Sequence, residues 1–489
     1  MALTGIICAF KVIEKPNTNL NKMIKSFSIK DNFTNFFSVT SREEENIKCL
    51  NGIRIIGMAW VVLGHIFSGA TDTAAVNPQF ATAFFTKIEF SYIYNASYSV
   101  DIFFFLSAFL MTYLLLKQLR RSKGKINIFL IYLHRIIRLY PALITALLAA
   151  MYIVPVLGSG PIYTRCYWRT NICFQKWYHI IFFYNDFDSL ADISCMGHTW
   201  YLAMDTQFFI LSPIIILTIY NYFLPGLITI LSIMFLSFGI QYIVLYYYQI
   251  SSAIINYSRE YMNDYYVMPY CRVSPWMFGI LIGYIYFKHR MNESESMKNL
   301  EDRLKRNWIL KHIFNLVGIL GMVWIIMEVG FMDRKGKDIN RFFDVTYLTF
   351  SRFLFVFFLW MSILPTVLGF PNIITKILGL NIFNILAKPT YTIYLLHFIL
   401  ITYFKDNVKA GIRLDYMYLH IDVVNYLVWS FVLACCCNII IEFPIFNLEK
   451  FFLMQERLPS SKESSERGST SSFASISNAD IGVKNVLKS

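Results

Sequence analysis

Apolar runs of about twenty residues recur along this chain, divided by short loops in which Lys and Arg cluster. A helix needs about 20 apolar residues to cross the hydrocarbon of a bilayer. Only helices and closed barrels satisfy their backbone polar groups there. The expected fold is therefore an all-α integral membrane protein, a polytopic bundle of about ten transmembrane helices. Composition agrees, with 56% of residues hydrophobic and 15% charged, against about 25% charged in soluble proteins. A net charge of +13 could suit nucleic acid. The basic residues sit in the loops between apolar runs, however, which is a signal of topology. No nucleic-acid partner is expected, and the lipid bilayer is.

The basic segment 1–48 predicts a cytoplasmic N-terminus. MALTGIICAF, at its start, lacks the basic region and cleavage site of a signal peptide. Spans are expected near 51–70, 97–117, 128–156, 198–220, 226–248, 271–287, 308–331, 345–367, 378–403 and 423–441. Lys117, Arg120, Arg121, Lys123 and Lys125 mark the loop after the second span as inner. Both termini are then cytoplasmic. The bundle is expected over 49–453, followed by a Ser-rich, disordered tail, 454–489. Sequons stand at Asn95 and Asn256, in expected outer loops. The endoplasmic reticulum and the plasma membrane both fit this topology.

Nine Cys residues show neither a CxxC pair nor the His/Cys spacing of a zinc site, so no metal is expected. Cys435, Cys436 and Cys437 read as buried thiols in an apolar run. Cys166, Cys173 and Cys195 share the large outer loop 158–197. In an oxidising lumen two of them are disulfide candidates, and the spacing does not choose which two.

Ionisable residues inside the spans are the functional candidates, since they are costly in lipid and face the bundle interior or a cavity. Cys49–Ser68 carries Arg54 and His65, eleven residues apart. That separation is three turns plus roughly 20°, placing both on one face about 16 Å apart. His65 is suited to act as base or nucleophile near neutral pH, against the plainer reading of a hydrogen-bonded packing residue. In the third span His134, Arg135 and Arg138 share helical spacings that bring them to neighbouring positions. They read either as cytoplasmic residues snorkelling to the interface or as an anion site for the phosphates of an acyl-CoA. Asp205 lies two turns after His198 and needs a cation, with Arg54 or His65 as candidates. His397 reads either as an interfacial residue beside Tyr391 and Tyr394 or as part of the site. Asp101 reads either as a helix-end carboxylate or as a cavity residue. Ser107 and Ala108 are small enough to admit another helix closely.

Several blocks resemble the acyltransferase-3 family, within it the animal branch named for nose resistance to fluoxetine. They are CLNGIRIIGMAWVVLGH, VDIFFFLSAFLMTYLLL, YLHRIIRLYPA, VLGSGPIY and CMGHTWYLAMDTQFFILSP, with weaker matches in YCRVSPWMFGILIGY, TFSRFLF, YTIYLLH and EFPIFNLEK. They fall in order over about 47–453. The resemblance implies transfer of an acyl group, not amino-acyl, from an acyl-CoA-type donor to a hydroxyl acceptor within or across the membrane. Acyl-CoA would be a co-substrate, with no bound cofactor. His65 and Arg54 match the catalytic pair, and Arg135 and Arg138 the donor-binding pair. His134, Ser107, Asp205 and His397 are further substrate-site candidates. Ala108 replaces a Gly of the pattern, and His198 stands where relatives often have Gln. Animal relatives usually carry a Cys-rich lumenal domain that the 48 residues before Cys49 do not contain. The competing expectations are a lipid or small-molecule transporter without acyl transfer, and a receptor or scaffold with a degenerate site. The acceptor, the acyl chain and the oligomeric state have no signature in the sequence.

Overall fold

The computed structural model describes residues 19–38, 47–69, 74–80, 87–189, 195–252, 259–334 and 340–455. The Asn256 sequon, the polar tail and much of the N-terminal segment lie outside them. The described residues form helices and no strand, with one isolated bridge from Ala75 to Ile412. Two short helices, α1 (Asn19–Lys25) and α2 (Ile29–Phe37), precede the bundle. The chain continues through α3 (Cys49–Ser68), α4 (Tyr98–Arg121), α5 (Ile128–Leu148), α6 (Thr164–Ile181), α7 (Trp200–Asn221), α8 (Phe223–Tyr247) and α9 (Pro269–Arg290). It ends in α10 (Glu295–Arg306), α11 (Trp308–Arg334), α12 (Arg341–Val367), α13 (Ile373–Leu378), α14 (Asn381–Leu386), α15 (Thr390–Asp406), α16 (Tyr416–Cys437) and α17 (Phe443–Gln455).

Eight helical segments among the described residues are long and apolar enough to cross a membrane. They contain the expected spans except the sixth and the ninth. The sixth is α9, whose apolar run is broken by Arg272 and ends in Lys288, His289 and Arg290. The ninth was expected over 378–403. It is instead divided into α13, α14 and the 17-residue α15. Lys388-Pro389 accounts for the break between α14 and α15, because the residue before a proline is driven out of helical conformation. Lys388 is used there: its Nζ donates to the carbonyls of Asn35, Phe36 and Ser38 and holds the C-terminus of α2. Both α9 and α15 pack within the bundle.

Small residues set the tightest packing. A Cβ on Gly279 would lie 2.7 Å from Ala108 Cβ and from the Phe105 carbonyl. The close approach foreseen at Ala108 is therefore supplied by a glycine on the facing helix. The same contact repeats one turn on at Gly283, against Phe109 and Thr112. Asp101 lies in the first turn of α4, and arginines rather than nearby backbone satisfy it. It is fully buried, 2.9 Å from Arg272 and 3.3 Å from Arg352, and joins α4, α9 and α12.

The outer loop 158–197 contains α6, so it is not irregular throughout. Cys173 of that helix is bonded to Cys195, and Cys166 is a buried free thiol. The thiols of α16 differ from one another: Cys435 is buried, Cys437 half-buried and Cys436 exposed. The Asn95 side chain is buried and donates to the Ile326 carbonyl, so that sequon is committed to packing.

The buried side chains form two large clusters. One gathers α4, α8, α9 and α12, together with Cys49, Leu50 and Ile53 of α3. The other gathers α5, α15 and α16 with Met58, Val61, Val62 and Ile66 of α3. Helix α3 therefore changes cores partway along its length, between Ile53 and Met58.

Candidate active site

His65, in the last turn of α3, faces α15. Its Nδ1 lies 2.9 Å from His397 Nε2, with the ring centroids 5.1 Å apart. His397 Nδ1 lies 2.6 Å from the Tyr394 carbonyl oxygen and 3.2 Å from that of Ile393. A carbonyl oxygen only accepts, so His397 carries a proton on Nδ1. Its Nε2 in the neutral ring then accepts, and His65 donates from Nδ1. The lone pair of neutral His65 is consequently on Nε2. This tautomer follows from the bonding partners. The ring is half-buried, and Nε2 makes no hydrogen bond to a described residue.

A third imidazole completes this end of the site. His198, at the start of α7, is 4% exposed, and its ring centroid is 5.4 Å from that of His397. Its ring nitrogens lie near the Leu395 and Tyr394 carbonyls but form no well-aligned hydrogen bond. Tyr394 donates its hydroxyl proton to the His198 carbonyl. Phe398 packs against both His65 and His198. Of the two readings of His397, the structure has it completely buried among these groups.

At the Arg54 end of α3 the site becomes charged. Arg135 pairs with Asp205, and its guanidinium lies 4.0 Å above the Phe209 ring. The expected partners of Asp205, Arg54 and His65, give way to Arg135 because α5 packs beside α7 at this level. Arg135 is seven residues into α5, about 10 Å along the helix. Arg135 Nε and Asp205 Oδ1 are buried without hydrogen-bond partners. Arg138 is exposed although Arg135, Asp205, Glu442 and Tyr391 surround it, as on the wall of an open cleft. Glu442 is buried in a π-turn after α16, where Thr392 donates to it and Asn438 Nδ2 lies 2.9 Å away. π-turns recur at functional sites.

Tyr201 links the two ends. It is in electrostatic reach of Arg54, Arg135 and Asp205. Its ring centroid is 5.5 Å from that of Tyr394, which is 5.9 Å from that of His397. Arg54 therefore joins the charged half and His65 the imidazole half, with Gly57 between them on α3. Gly57 faces Phe103 of α4, which also packs on Tyr201. Ser107 is one turn beyond Phe103 on the same face, half-buried and without a hydrogen bond to a described residue.

His134 belongs elsewhere. Its largely exposed ring lies 2.5 Å from Glu449 and ties α5 to α17. Among the described residues no group of three His, Cys, Asp or Glu could hold a metal ion. Residues that sequence reasoning passed over are Tyr201 and Glu442. Glu442 had a detectable signal, an acid inside an apolar run. Tyr201 had none.

Comparison with known proteins identifies the family. The acyltransferase domain of the acyltransferase-3 family matches residues 47–447. The chain is 27% identical over 410 residues to nose resistant to fluoxetine protein 6 of Caenorhabditis elegans, covering 77% of this chain and 47% of that protein. It is 22% identical over 378 residues to a putative O-acetyltransferase of Staphylococcus aureus, covering 76% of this chain and 53% of that protein. It is 21% identical over 324 residues to the O-acetyltransferase OatA of the same species, covering 65% and 48% respectively. The chain spans about half the length of these relatives. No solved structure matches it. With one domain covering the whole bundle from before α3 into α17, the chain belongs to the acyltransferase-3 family.

Proposed function

We propose that this protein is a membrane acyltransferase that moves an acyl group from an acyl-CoA-type thioester to a hydroxyl acceptor, with His65 as general base. The observation that carries the reading is the ordered pair of imidazoles. A backbone carbonyl orients His397, and His397 orients His65 with Nε2 free to take a proton. This is the base-and-orienter geometry that acyl transfer uses. The printed names of the Staphylococcus aureus relatives, O-acetyltransferases, favour oxygen as the acceptor atom.

In the proposed reaction His65 Nε2 removes the acceptor's hydroxyl proton as its oxygen attacks the thioester carbonyl. The carbon–sulfur bond then breaks, and the departing thiolate takes the proton from His65. Arg54, Arg135 and Arg138 outnumber Asp205 and Glu442 in the charged half, leaving it net positive toward the donor's phosphates. The donor enters from the cytoplasm, where both termini lie, and the enzyme resides in the endoplasmic reticulum or plasma membrane.

The test is turnover of labelled acyl-CoA by the purified full chain in detergent. Loss of transfer in His65→Ala, with the fold retained, supports the base. Unchanged donor turnover in that variant overturns the mechanism. An acyl group trapped on His65 would make it the nucleophile, and substrate transport without acyl transfer would favour a transporter.

A further inference from the structure

The Asp101 ion cluster lies apart from the acyl-transfer site and does not balance its own charge. Arg272 is fully buried and satisfied: Nη1 reaches both Asp101 oxygens at 3.0 and 2.9 Å, and Nε and Nη2 reach the Tyr266 carbonyl at 3.1 and 3.0 Å. Arg352 is 3% exposed and less complete. Its Nε donates to Tyr265 Oη at 3.2 Å and its Nη1 to Asp101 at 3.3 Å, while no described residue accepts from Nη2. Two guanidiniums thus share one carboxylate inside a membrane bundle. A buried charge left unpaired is strongly unfavourable.

Beside Arg352 lies a mostly enclosed cavity of about 20 Å³, walled by Tyr98, Tyr261, Tyr265, Tyr347 and Ser351. A cavity of that size has room for one water or one monatomic ion. Asp344 pairs with Arg341 and accepts from the Ser252 amide. Tyr347 donates to the Ile325 carbonyl and Tyr265 to that of Leu348. The unmatched charge sits on Arg352, whose Nη2 hydrogens have no acceptor among the described residues.

We propose that this cavity is a binding site for a monatomic anion of chloride's size, held by the Nη2 hydrogens of Arg352. The ion completes the charge balance that joins α4, α9 and α12. Carboxylates, phosphate and sulfate are too large for it.

Halide titration of the purified full chain tests this. The melting temperature should rise with the logarithm of chloride or bromide concentration at constant ionic strength. Gluconate and sulfate should give no such rise. In a bromide-soaked crystal an anomalous peak should stand within hydrogen-bonding distance of Arg352 Nη2. Arg352→Gln should abolish the halide dependence. Asp101→Asn should tighten halide binding by about tenfold or more, since it removes the competing negative charge. That opposite sign separates anion binding from general destabilisation, and the wild-type titration stands even if a variant does not fold. Equal melting temperatures in chloride and gluconate, or a water in the cavity of the bromide crystal, would overturn the proposal.

Discussion

His397 is expected to act through His65 and not on substrate, which makes its replacement the most informative perturbation. In His397→Ala the His65 Nδ1–H loses its acceptor at 2.9 Å. Nothing then selects the tautomer with its lone pair at Nε2. An unsatisfied buried donor costs about 1–3 kcal/mol, and each 1.36 kcal/mol in the barrier is tenfold in rate. The expected fall in kcat is about 10–100-fold, with little change in KM for the donor, because the charged half of the site is untouched. His397→Gln should recover part of the loss. Its amide nitrogen can donate to the Tyr394 carbonyl while its amide oxygen accepts from His65. The assay is acyl transfer from labelled acyl-CoA across a pH series, with melting temperatures measured in parallel. A purely structural His397 would lower stability and leave kcat per folded molecule unchanged, and that result would refute the orientation argument. So would a Gln variant no better than Ala at equal stability.

Other consequences are independent of that pair. Arg138→Ala should raise KM for the donor about tenfold or more through loss of a charge-assisted bond of about 1.5–3 kcal/mol, with kcat little changed and Arg138→Lys intermediate; steady-state kinetics decide. Replacing Cys173 and Cys195, which are 22 residues apart, by Ser should cost about 3 kcal/mol on a loop-closure argument, seen as a lower melting temperature, while alkylation of the unfolded native chain should still find Cys166 free. Burial pushes the Asp186 carboxyl up to about 6 despite its hydrogen bond from Gln207. The folded protein therefore binds more protons than the unfolded chain between about pH 4 and 6. That contribution to stability is complete below about pH 4 and is lost as pH rises through 6. Asp186→Asn should flatten this part of the melting-temperature profile, and an unchanged slope would remove Asp186 as its source.

Helical periodicity alone placed Arg54 and His65 on one face, and that property is local. Their partners are not local. His397 is 332 positions from His65, and Asp205 is 70 from Arg135. No period or spacing connects such pairs, so Asp205 was offered Arg54 or His65 when the neighbouring helix supplied Arg135. The same limit applied to Asp101. Its depth was readable as four residues into a span, but its two arginines come from α9 and α12. Ala108 shows the converse. It replaces a Gly of the family pattern, and the close approach is supplied from another helix by Gly279. The apolar runs were legible wherever they stayed uninterrupted. They misled at 378–403, where hydropathy continues across Lys388-Pro389 but the backbone does not.

The division of the interior into two clusters explains why one helix bears both ends of the candidate site. Ile53 belongs to the core built on α4, α9 and α12, and Met58 to the core built on α5, α15 and α16. Arg54 falls at this junction, and His65 emerges into the second core eleven residues later. Ser107 comes to the site on α4 of the first core, whereas Phe103 of that helix packs against the second core, on whose helices α5 and α15 Arg135, Arg138 and His397 lie. At such a boundary between helices of a bundle a ligand can be admitted without either core opening its own packing. The large side chains on α3 are spent on joining the cores. Of the three glycines on α3, Gly57 is the one between Arg54 and His65, and it leaves room for Phe103 there. A bulky residue there would drive Phe103 toward Tyr201 and separate the two halves without touching either. Gly57→Leu should therefore lower kcat and raise KM together, where Arg138→Ala raises KM and His397→Ala lowers kcat.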